Sequence, residues 1–260
     1  INSNINKIFL KLFDINLFLV FYFWKYKINI FSHSKSIYKK KFFNFKVINW
    51  VPDFQYIYLK HLFDEKSFNF LDQNTKKILT TCDHLILSSD DAFNHLKKNY
   101  KTFININKIS VLNFVSQITT DIKSNNYVIK KIISNKFFYL PNQFWSHKNH
   151  LVVFKSIKIL QKKIHNIMLV CSGNPLDYKN NTTKYFDSLN NFIKENNLEK
   201  NIINLGLIDY DDVNVLMKNC ISIINPSYFE GWSSTVEEAK SFNKNIILSN
   251  IDIHKEQNPK

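Results

Sequence analysis

The sequence has no arginine, only three glycines and only three cysteines. The cysteines, Cys82, Cys171 and Cys220, lie far apart in apolar segments and form no C-x-x-C pair. This pattern is typical of buried, reduced thiols in a reducing compartment and does not indicate a disulfide framework. The sequence also contains no Walker loop and no nucleophile elbow, so it carries no signal of a P-loop nucleotidase or an α/β-hydrolase.

Long apolar runs are missing as well. In the most apolar stretch, Ile8 to Trp24, Lys11, Asp14 and Asn16 leave only Leu17 to Trp24 uninterrupted. A helix that spans a bilayer needs roughly 20 apolar residues. We therefore expect a buried helix or an amphipathic segment that faces a membrane. The sequence starts with Ile rather than Met and ends shortly after a strand-like segment, so it is expected to be a fragment.

Lysine is abundant, and the formal net charge is +14 over 260 residues. Such a charge favours nucleic acid or an anionic membrane surface as a partner. The lysines are scattered, however, and the sequence lacks ribonucleoprotein motifs, zinc-finger spacing and a basic arm. We therefore do not expect nucleic-acid binding. The apolar fraction of 45% is ordinary for a globular protein of one or two domains.

Apolar strand-like segments alternate with helical ones, most regularly after residue 136, which predicts an α/β fold with parallel sheets. A Lys-rich connector is expected at 35–46 and an interdomain linker at 116–135, which divides the chain into residues 1–133 and 134–260. Strands are predicted at 27–32, 81–88, 109–114, 137–140, 167–171, 202–207, 220–224 and 245–249, with a further one ending near 51. Helices are predicted at 67–77, 90–100, 150–162, 180–197, 210–219 and 234–242.

The most informative stretch is 226–238, where a strand leads through a loop containing Gly231 into a short helix. The first turn of a helix has unpaired N–H groups, and its dipole attracts negative charge, so this turn is predicted to bind an anion. Ser234 and Glu237 have the spacing of a capping box, which would make Glu237 a structural cap.

A second polar pair, Asp53 and Gln55, follows an apolar strand that ends at Pro52. In open α/β sheets, ligands lie outside the carboxyl ends of strands, so these two residues are candidates for contact with a ligand, namely the acceptor of a transferred group. A strand-end turn in which Asp53 caps the next helix explains the pattern equally well.

The stretch from Phe229 to Glu238 resembles the E-x7-E signature of the retaining nucleotide-sugar glycosyltransferases of family 4. Segments 140–150, 206–208 and 50–55 resemble, in the correct order, other segments of that family, within a subgroup that acts on bacterial surface polysaccharides. The resemblance implies two Rossmann-like domains in the GT-B architecture, the N-terminal one incomplete and the C-terminal one nearly complete.

The resemblance also implies roles for individual residues. Lys148 would neutralise the leaving diphosphate, and Glu230 would bind hydroxyls of the donor sugar. The turn at Gly231 and the backbone N–H groups of Ser233, Ser234 and Thr235 would hold the phosphates, and Glu238 would hold the ribose. Asn142 stands where many family members carry a phosphate-binding arginine, and the resemblance makes it a candidate for donor contact. His147 is a weaker candidate for assisting Lys148 at the phosphates. Packing at a helix start explains this histidine more simply.

No metal or other cofactor is expected. The D-x-D sequence from Asp209 to Asp211 begins a helix, where acidic residues serve as caps. His147 and His150 have no third ligand nearby in the sequence.

The predicted function is metal-independent transfer of a hexosyl group, with retention, from a nucleotide-sugar to a saccharide or lipid-linked acceptor. The expected role is cell-surface polysaccharide synthesis, in the cytoplasm or at the inner face of the membrane. The alternatives are a non-catalytic module that binds sugar nucleotides and a basic membrane-surface protein.

Overall fold

The computed structural model describes residues 3–13, 16–34, 45–117, 123–177 and 181–258. The chain divides into two compact units, residues 1–114 and 115–260, and each contains a parallel β-sheet. Residues 35–44 of the predicted connector and 118–122 of the predicted linker lie outside the described residues. The α/β prediction with two Rossmann-like parts is confirmed.

The N-terminal unit has a four-stranded parallel sheet in the order β1-β2-β3-β4. Buried residues of β3 and of the flanking helices, among them Leu85, Leu87, Ile78 and Leu96, form its core. The strands are β1 (Ile30–Ser34), β2 (Lys46–Val51), β3 (His84–Leu87) and β4 (Ile109–Val111), and the helices are α1 (Ser3–Phe13), α2 (Leu17–Lys25), α3 (Gln55–Tyr58), α4 (Glu65–Thr81) and α5 (Asp90–Asn99).

The apolar stretch near the N-terminus forms two short helices, α1 and α2, and the side chain of Asn16 caps the second by accepting from Phe18 N and Leu19 N. No residue of α2 is buried, which differs from the expectation of a buried helix. The expected amphipathic segment that faces a membrane stays a prediction. Among the described residues, no helix is both long and apolar enough to cross a membrane.

The C-terminal unit has a five-stranded parallel sheet in the order β7-β6-β5-β8-β9. The chain proceeds outward from β5 in one direction to β7 and then returns to the other side of β5 with β8, so the order reverses between β5 and β8. In such sheets, the carboxyl ends of the strands at the reversal form the ligand crevice. The strands are β5 (Phe138–Leu140), β6 (Leu169–Cys171), β7 (Ile202–Asn204), β8 (Ser222–Asn225) and β9 (Ile246–Leu248), and the helices are α6 (Tyr127–Ile133), α7 (His150–Leu160), α8 (Lys184–Glu195), α9 (Tyr210–Asn219), α10 (Ser234–Ser241) and α11 (Asp252–Gln257).

Both faces of this second sheet are buried, which explains why its strands are almost continuously apolar. Successive side chains of a strand point to opposite faces. Accordingly Leu169 and Cys171 belong to one core cluster, while Val170 between them belongs to the other.

The structure differs from the sequence prediction at two short helices. α6 lies inside the predicted linker, and its buried residues Ile129 and Ile132 pack in the same cluster as Val215 of α9. The division of the chain therefore falls before α6, at 114/115, rather than at 133/134. α11 follows β9, where no helix was predicted.

Asparagine replaces glycine at most positions with a positive φ angle. Among the described residues other than glycine, seven have a positive φ, and five of these are asparagines: Asn149, Asn166, Asn181, Asn197 and Asn243. Asparagine tolerates the left-handed region better than other residues with a Cβ atom. The scarcity of glycine in the sequence is therefore compatible with ordinary helix ends and turns.

Gly173, by contrast, stands where no other residue fits. A Cβ atom at this position would lie 2.3 Å from the carbonyl oxygen of Asn142, which belongs to the loop after β5. The contact is with backbone, so a side-chain rotation cannot relieve it.

We expect Gly173→Ala to lower the free energy of unfolding by about 1–3 kcal/mol, because it overpacks a rigid site. Gly206→Asn is the matched control: Gly206 has a φ of 66°, which asparagine can adopt, and a Cβ atom there meets nothing within 4 Å. Urea unfolding of both variants tests this. Equal stability of Gly173→Ala and the parent would contradict the packing argument.

Candidate functional site

Two loops at the reversal of the C-terminal sheet form the candidate site. The loop after β5 ends in a 3-10 turn, Ser146–Lys148, followed by Asn149 with a left-handed φ of 54° before α7. The loop after β8 runs from Pro226 to the start of α10. The backbone N–H of Tyr228 donates to the carbonyl of His147 at 2.8 Å, and the side chain of Asn149 donates to the carbonyl of Pro226 at 3.2 Å. The two loops therefore hold each other in place.

An ion pair joins the two loops at this point. Lys148 Nζ lies 2.6 Å from Glu230 Oε1, and the side chains are only 14% and 9% exposed. Burial by itself would raise the pKa of Glu230. The charge and hydrogen bond of Lys148, with a smaller contribution from Ser227, outweigh burial and hold the Glu230 pKa below its usual range. Glu230 is therefore a carboxylate with a lysine as its counter-ion.

From the sequence, Lys148 was expected to face the diphosphate of an external ligand. Lys148 instead precedes α7, in the 3-10 turn, and Glu230 supplies an anion from within the protein. The predicted residues Lys148 and Glu230 are brought together, although the sequence did not predict that they would contact each other.

A buried polar network lies beneath the pair. Asn225, the last residue of β8, accepts from Asn142 Nδ2 at 3.1 Å and from Ser227 Oγ at 2.7 Å, and it donates to Ser233 Oγ at 2.8 Å. Thr235 Oγ1 in turn donates to Asn142 Oδ1 at 3.3 Å. Asn142 was predicted to contact the donor, but it is buried, and both ends of its side-chain amide bond to protein. Its observed role is to link the loop after β5 to the loop after β8.

The N-terminus of α10 differs from the prediction in two respects. The N-cap is Ser233, not Ser234, so the expected capping box between Ser234 and Glu237 does not form. The backbone N–H of Ser233, expected to face phosphates, donates to Gln257 Oε1 at 2.9 Å. The helix begins at Ser234, as predicted, and its N-cap is Ser233, which bonds to Asn225 and Gln257.

The N–H groups that helix geometry leaves without an intrahelical acceptor are then those of Ser234, Thr235 and Val236. The bend at Gly231 and Trp232 connects Glu230 to this helix start.

Glu238 lies one turn into α10 and is half-buried. Tyr210 Oη donates to Glu238 Oε1 at 3.1 Å. Burial raises the pKa of Glu238 above its usual range, and the hydrogen bond from Tyr210 opposes that rise only in part. Glu237, by contrast, is buried and accepts from Lys240 Nζ at 2.9 Å and Gln257 Nε2 at 2.8 Å. Glu237 is thus a structural residue, but it pairs with side chains instead of capping the helix, and the ligand role of Glu238 stays a prediction.

The histidines of the first loop are packing residues. His147 is buried, with its ring 5.7 Å from that of Trp145. His150 stacks on Phe144 at 4.7 Å in the core, where burial lowers its pKa to about 3. Asp209 occupies the N-cap position of α9. Within the described ranges, no group of three potential ligand side chains is placed to hold a metal ion.

Asp53 and Gln55 lie after β2 in the N-terminal unit. The backbone N–H of Gln55 donates to Asp53 Oδ1 at 2.8 Å, so Asp53 forms a local turn, although the N-cap of α3 is Phe54 and not Asp53. This bond accounts for an aspartate at this position without a ligand.

Two residues of the site were missed by the sequence prediction, His254 and Gln257 of α11. His254 is buried, and its Nδ1 lies 3.0 Å from the carbonyl oxygen of Ser249. The available signal was weak: Asp252 complements the start of a helix only six residues long.

The family model described as "Glycosyl transferases group 1" matches residues 121–259, more than half of the chain. The chain belongs to this family. A curated relative, the O-antigen chain mannosyltransferase RfbU of Salmonella typhimurium, is 24% identical over 207 residues. The match covers 79% of this chain and 52% of RfbU, so the chain spans about half the length of that relative.

Two solved structures share the fold. HepE (Alr3699) of Anabaena, crystallised with UDP-glucose, matches with a TM-score of 0.66 and 15% identity over 83% of this chain and 56% of HepE. A glycosyltransferase of Rickettsia africae matches with a TM-score of 0.63 and 19% identity over 90% of this chain and 61% of its own. At these identities the likeness is one of fold.

We expect Lys148→Met and Glu230→Met each to cost up to about 3–5 kcal/mol of unfolding free energy, because each leaves one charge buried without its partner. The double variant should lose much less than the sum of the two, because no unpaired charge remains. Denaturant unfolding of all four proteins measures this coupling. Additive losses would show that the two charges do not stabilise each other.

Proposed function

We propose that the protein is a retaining glycosyltransferase that moves a hexosyl group from a nucleotide-sugar to a saccharide or lipid-linked acceptor, without a metal ion. The observation that carries this proposal is the buried Lys148–Glu230 pair beside the N-terminus of α10, at the reversal of a parallel sheet. Family membership through residues 121–259 supports the same site.

The pair suggests how a donor would be held. A diphosphate competes with Glu230 for the ammonium of Lys148, and the first-turn N–H groups of α10 add further donors. Negative charge grows on the diphosphate as the glycosidic bond breaks, so a cation placed there lowers the barrier. Glu230, released from Lys148, can accept hydrogen bonds from sugar hydroxyls.

Glu238 is the proposed ribose contact. Its carboxylate already accepts a hydrogen bond from Tyr210, so ribose hydroxyls would share or replace that partner. A half-buried carboxyl group with one hydrogen bond has capacity for further donors, since an ionised carboxylate has about four lone-pair sites.

The acceptor and location are proposed on broader grounds. RfbU is named as an O-antigen chain mannosyltransferase, which supports a role in surface polysaccharide synthesis. The free, buried cysteines suit the cytoplasm. Exposed aromatic side chains of α2 next to lysines suit contact with the inner face of a membrane. Asp53 and Gln55 stay candidates for acceptor contact.

Calorimetry on the full chain tests the phosphate role of Lys148. We expect Lys148→Ala to weaken binding of UDP, GDP or ADP, whichever the parent binds, by about 10- to 100-fold, the value of one charge-assisted hydrogen bond. Binding of the matching nucleoside should change little. Lys155→Ala, an exposed lysine on α7, is the control and should bind both ligands like the parent.

Equal losses for nucleoside and nucleoside diphosphate would contradict the phosphate role. If the parent binds a sugar nucleotide but transfers and hydrolyses none, the non-catalytic binding module becomes the better account.

A further inference from the structure

Gln257 makes three hydrogen bonds, and all of them fix the entrance to α10. Its Oε1 accepts the backbone N–H of Ser233 at 2.9 Å, and its Nε2 donates to the carbonyl of Ser233 at 3.1 Å. Nε2 also donates to Glu237 Oε1 at 2.8 Å. The side chain is 1% exposed. The side-chain carboxamide of Gln257 therefore binds both the backbone N–H and the backbone carbonyl of Ser233, the N-cap of α10.

The same short helix also supports the other end of the turn 226–233. His254 lies one turn before Gln257 on α11, and its Nδ1 is 3.1 Å from Ser249 Oγ. That hydroxyl donates to the carbonyl of Ser227 at 2.5 Å. Glu230 lies between Ser227 and Ser233, so α11 holds both ends of the segment that carries it.

We propose that Gln257 is a positioning residue for the donor site, a role that rests on the proposed function. It takes up the Ser233 N–H and thereby fixes the helix start, so that the N–H groups of Ser234 to Val236 keep a constant position relative to Lys148. Hydrogen bonds weaken steeply as their geometry departs from the ideal, so displaced N–H groups would bind the diphosphate less well. Gln257 itself does not touch the diphosphate.

The chemistry of the site explains why the residue is a glutamine. Glu237 and the Ser233 carbonyl are acceptors and need a donor, whereas the Ser233 N–H needs an acceptor. A carboxamide supplies both. A glutamate at 257 would keep the acceptor but would set its charge against Glu237, and a methionine would fill a similar volume with neither group.

The test compares Gln257→Met with Gln257→Asn, which keeps a shorter carboxamide and is the milder change. Lys255→Met is the control, because Lys255 lies on the same helix, is 58% exposed and pairs with Asp252. Circular dichroism and thermal unfolding establish that each variant is folded. Binding of UDP, GDP and ADP, and of uridine, guanosine and adenosine, is measured by calorimetry on the full chain.

We expect Gln257→Met to weaken diphosphate binding about 10- to 100-fold, the value of one hydrogen bond to a charged group, and nucleoside binding less than about twofold. Gln257→Asn should show a smaller loss of the same kind, and Lys255→Met none. Amide hydrogen exchange at Ser233 should accelerate in Gln257→Met without ligand.

Equal weakening of nucleoside and diphosphate would make Gln257 a general structural residue and overturn the proposal. Unchanged diphosphate binding in Gln257→Met would do the same. These outcomes leave the proposed function intact, whereas a parent that binds none of the diphosphates removes both.

Discussion

The candidate site of the C-terminal unit is organised around a buried ion pair. Lys148 and Glu230 come from loops more than 80 residues apart in the sequence, and the parallel order of β5 and β8 places those loops side by side. Removing two ions from water is costly, and their attraction repays it only when the geometry is good. Three features hold the two loops in that geometry. They are the left-handed backbone of Asn149, the hydrogen bond between Asn142 and Asn225, and the hydrogen bonds from Gln257 of α11 to Ser233. A pair that costs this much to bury, at the ligand edge of the sheet, is better explained by function than by stability.

The unusual composition is accommodated because asparagine and lysine occupy positions where glycine and arginine would be common. Left-handed backbone positions use asparagine where glycine would be common, as at Asn149 between the 3-10 turn and α7. Gly173 is required for a steric reason and not for its φ angle. The carbonyl of Asn142 lies so close that no Cβ atom would fit. Likewise, lysine is the cation of the site in a chain that has no arginine.

The sequence was most informative where periodicity extends over a whole element. β6, α9 and α10 appear close to their predicted bounds, because apolar runs and capping residues define them locally. α6 and α11 were missed because six or seven residues contain too little periodicity to distinguish a helix from a loop. Their formation depends on tertiary packing, such as Ile129 against α9 and Gln257 against Ser233.

The sequence named individual residues of the candidate site but not the contacts among them. Lys148, Glu230 and Glu238 were singled out by a resemblance, and the structure places Lys148 against Glu230. The pairing itself, the N-cap position of Ser233 and the contacts of Gln257 result from long-range interactions that no local pattern contains. Spacing can suggest a capping box, but it cannot show that a glutamine 24 residues downstream already occupies the N–H group.

The central claim is that the Lys148–Glu230 pair is the donor site of a glycosyltransferase. The most direct measurement is release of nucleoside diphosphate by the full chain from UDP-, GDP- and ADP-sugars, for the parent, Glu230→Gln and the exposed control Glu199→Gln. The account predicts release from at least one donor, retained in Glu199→Gln and reduced at least about 100-fold in Glu230→Gln, as for loss of a transition-state contact. Release that is unchanged in Glu230→Gln would contradict it.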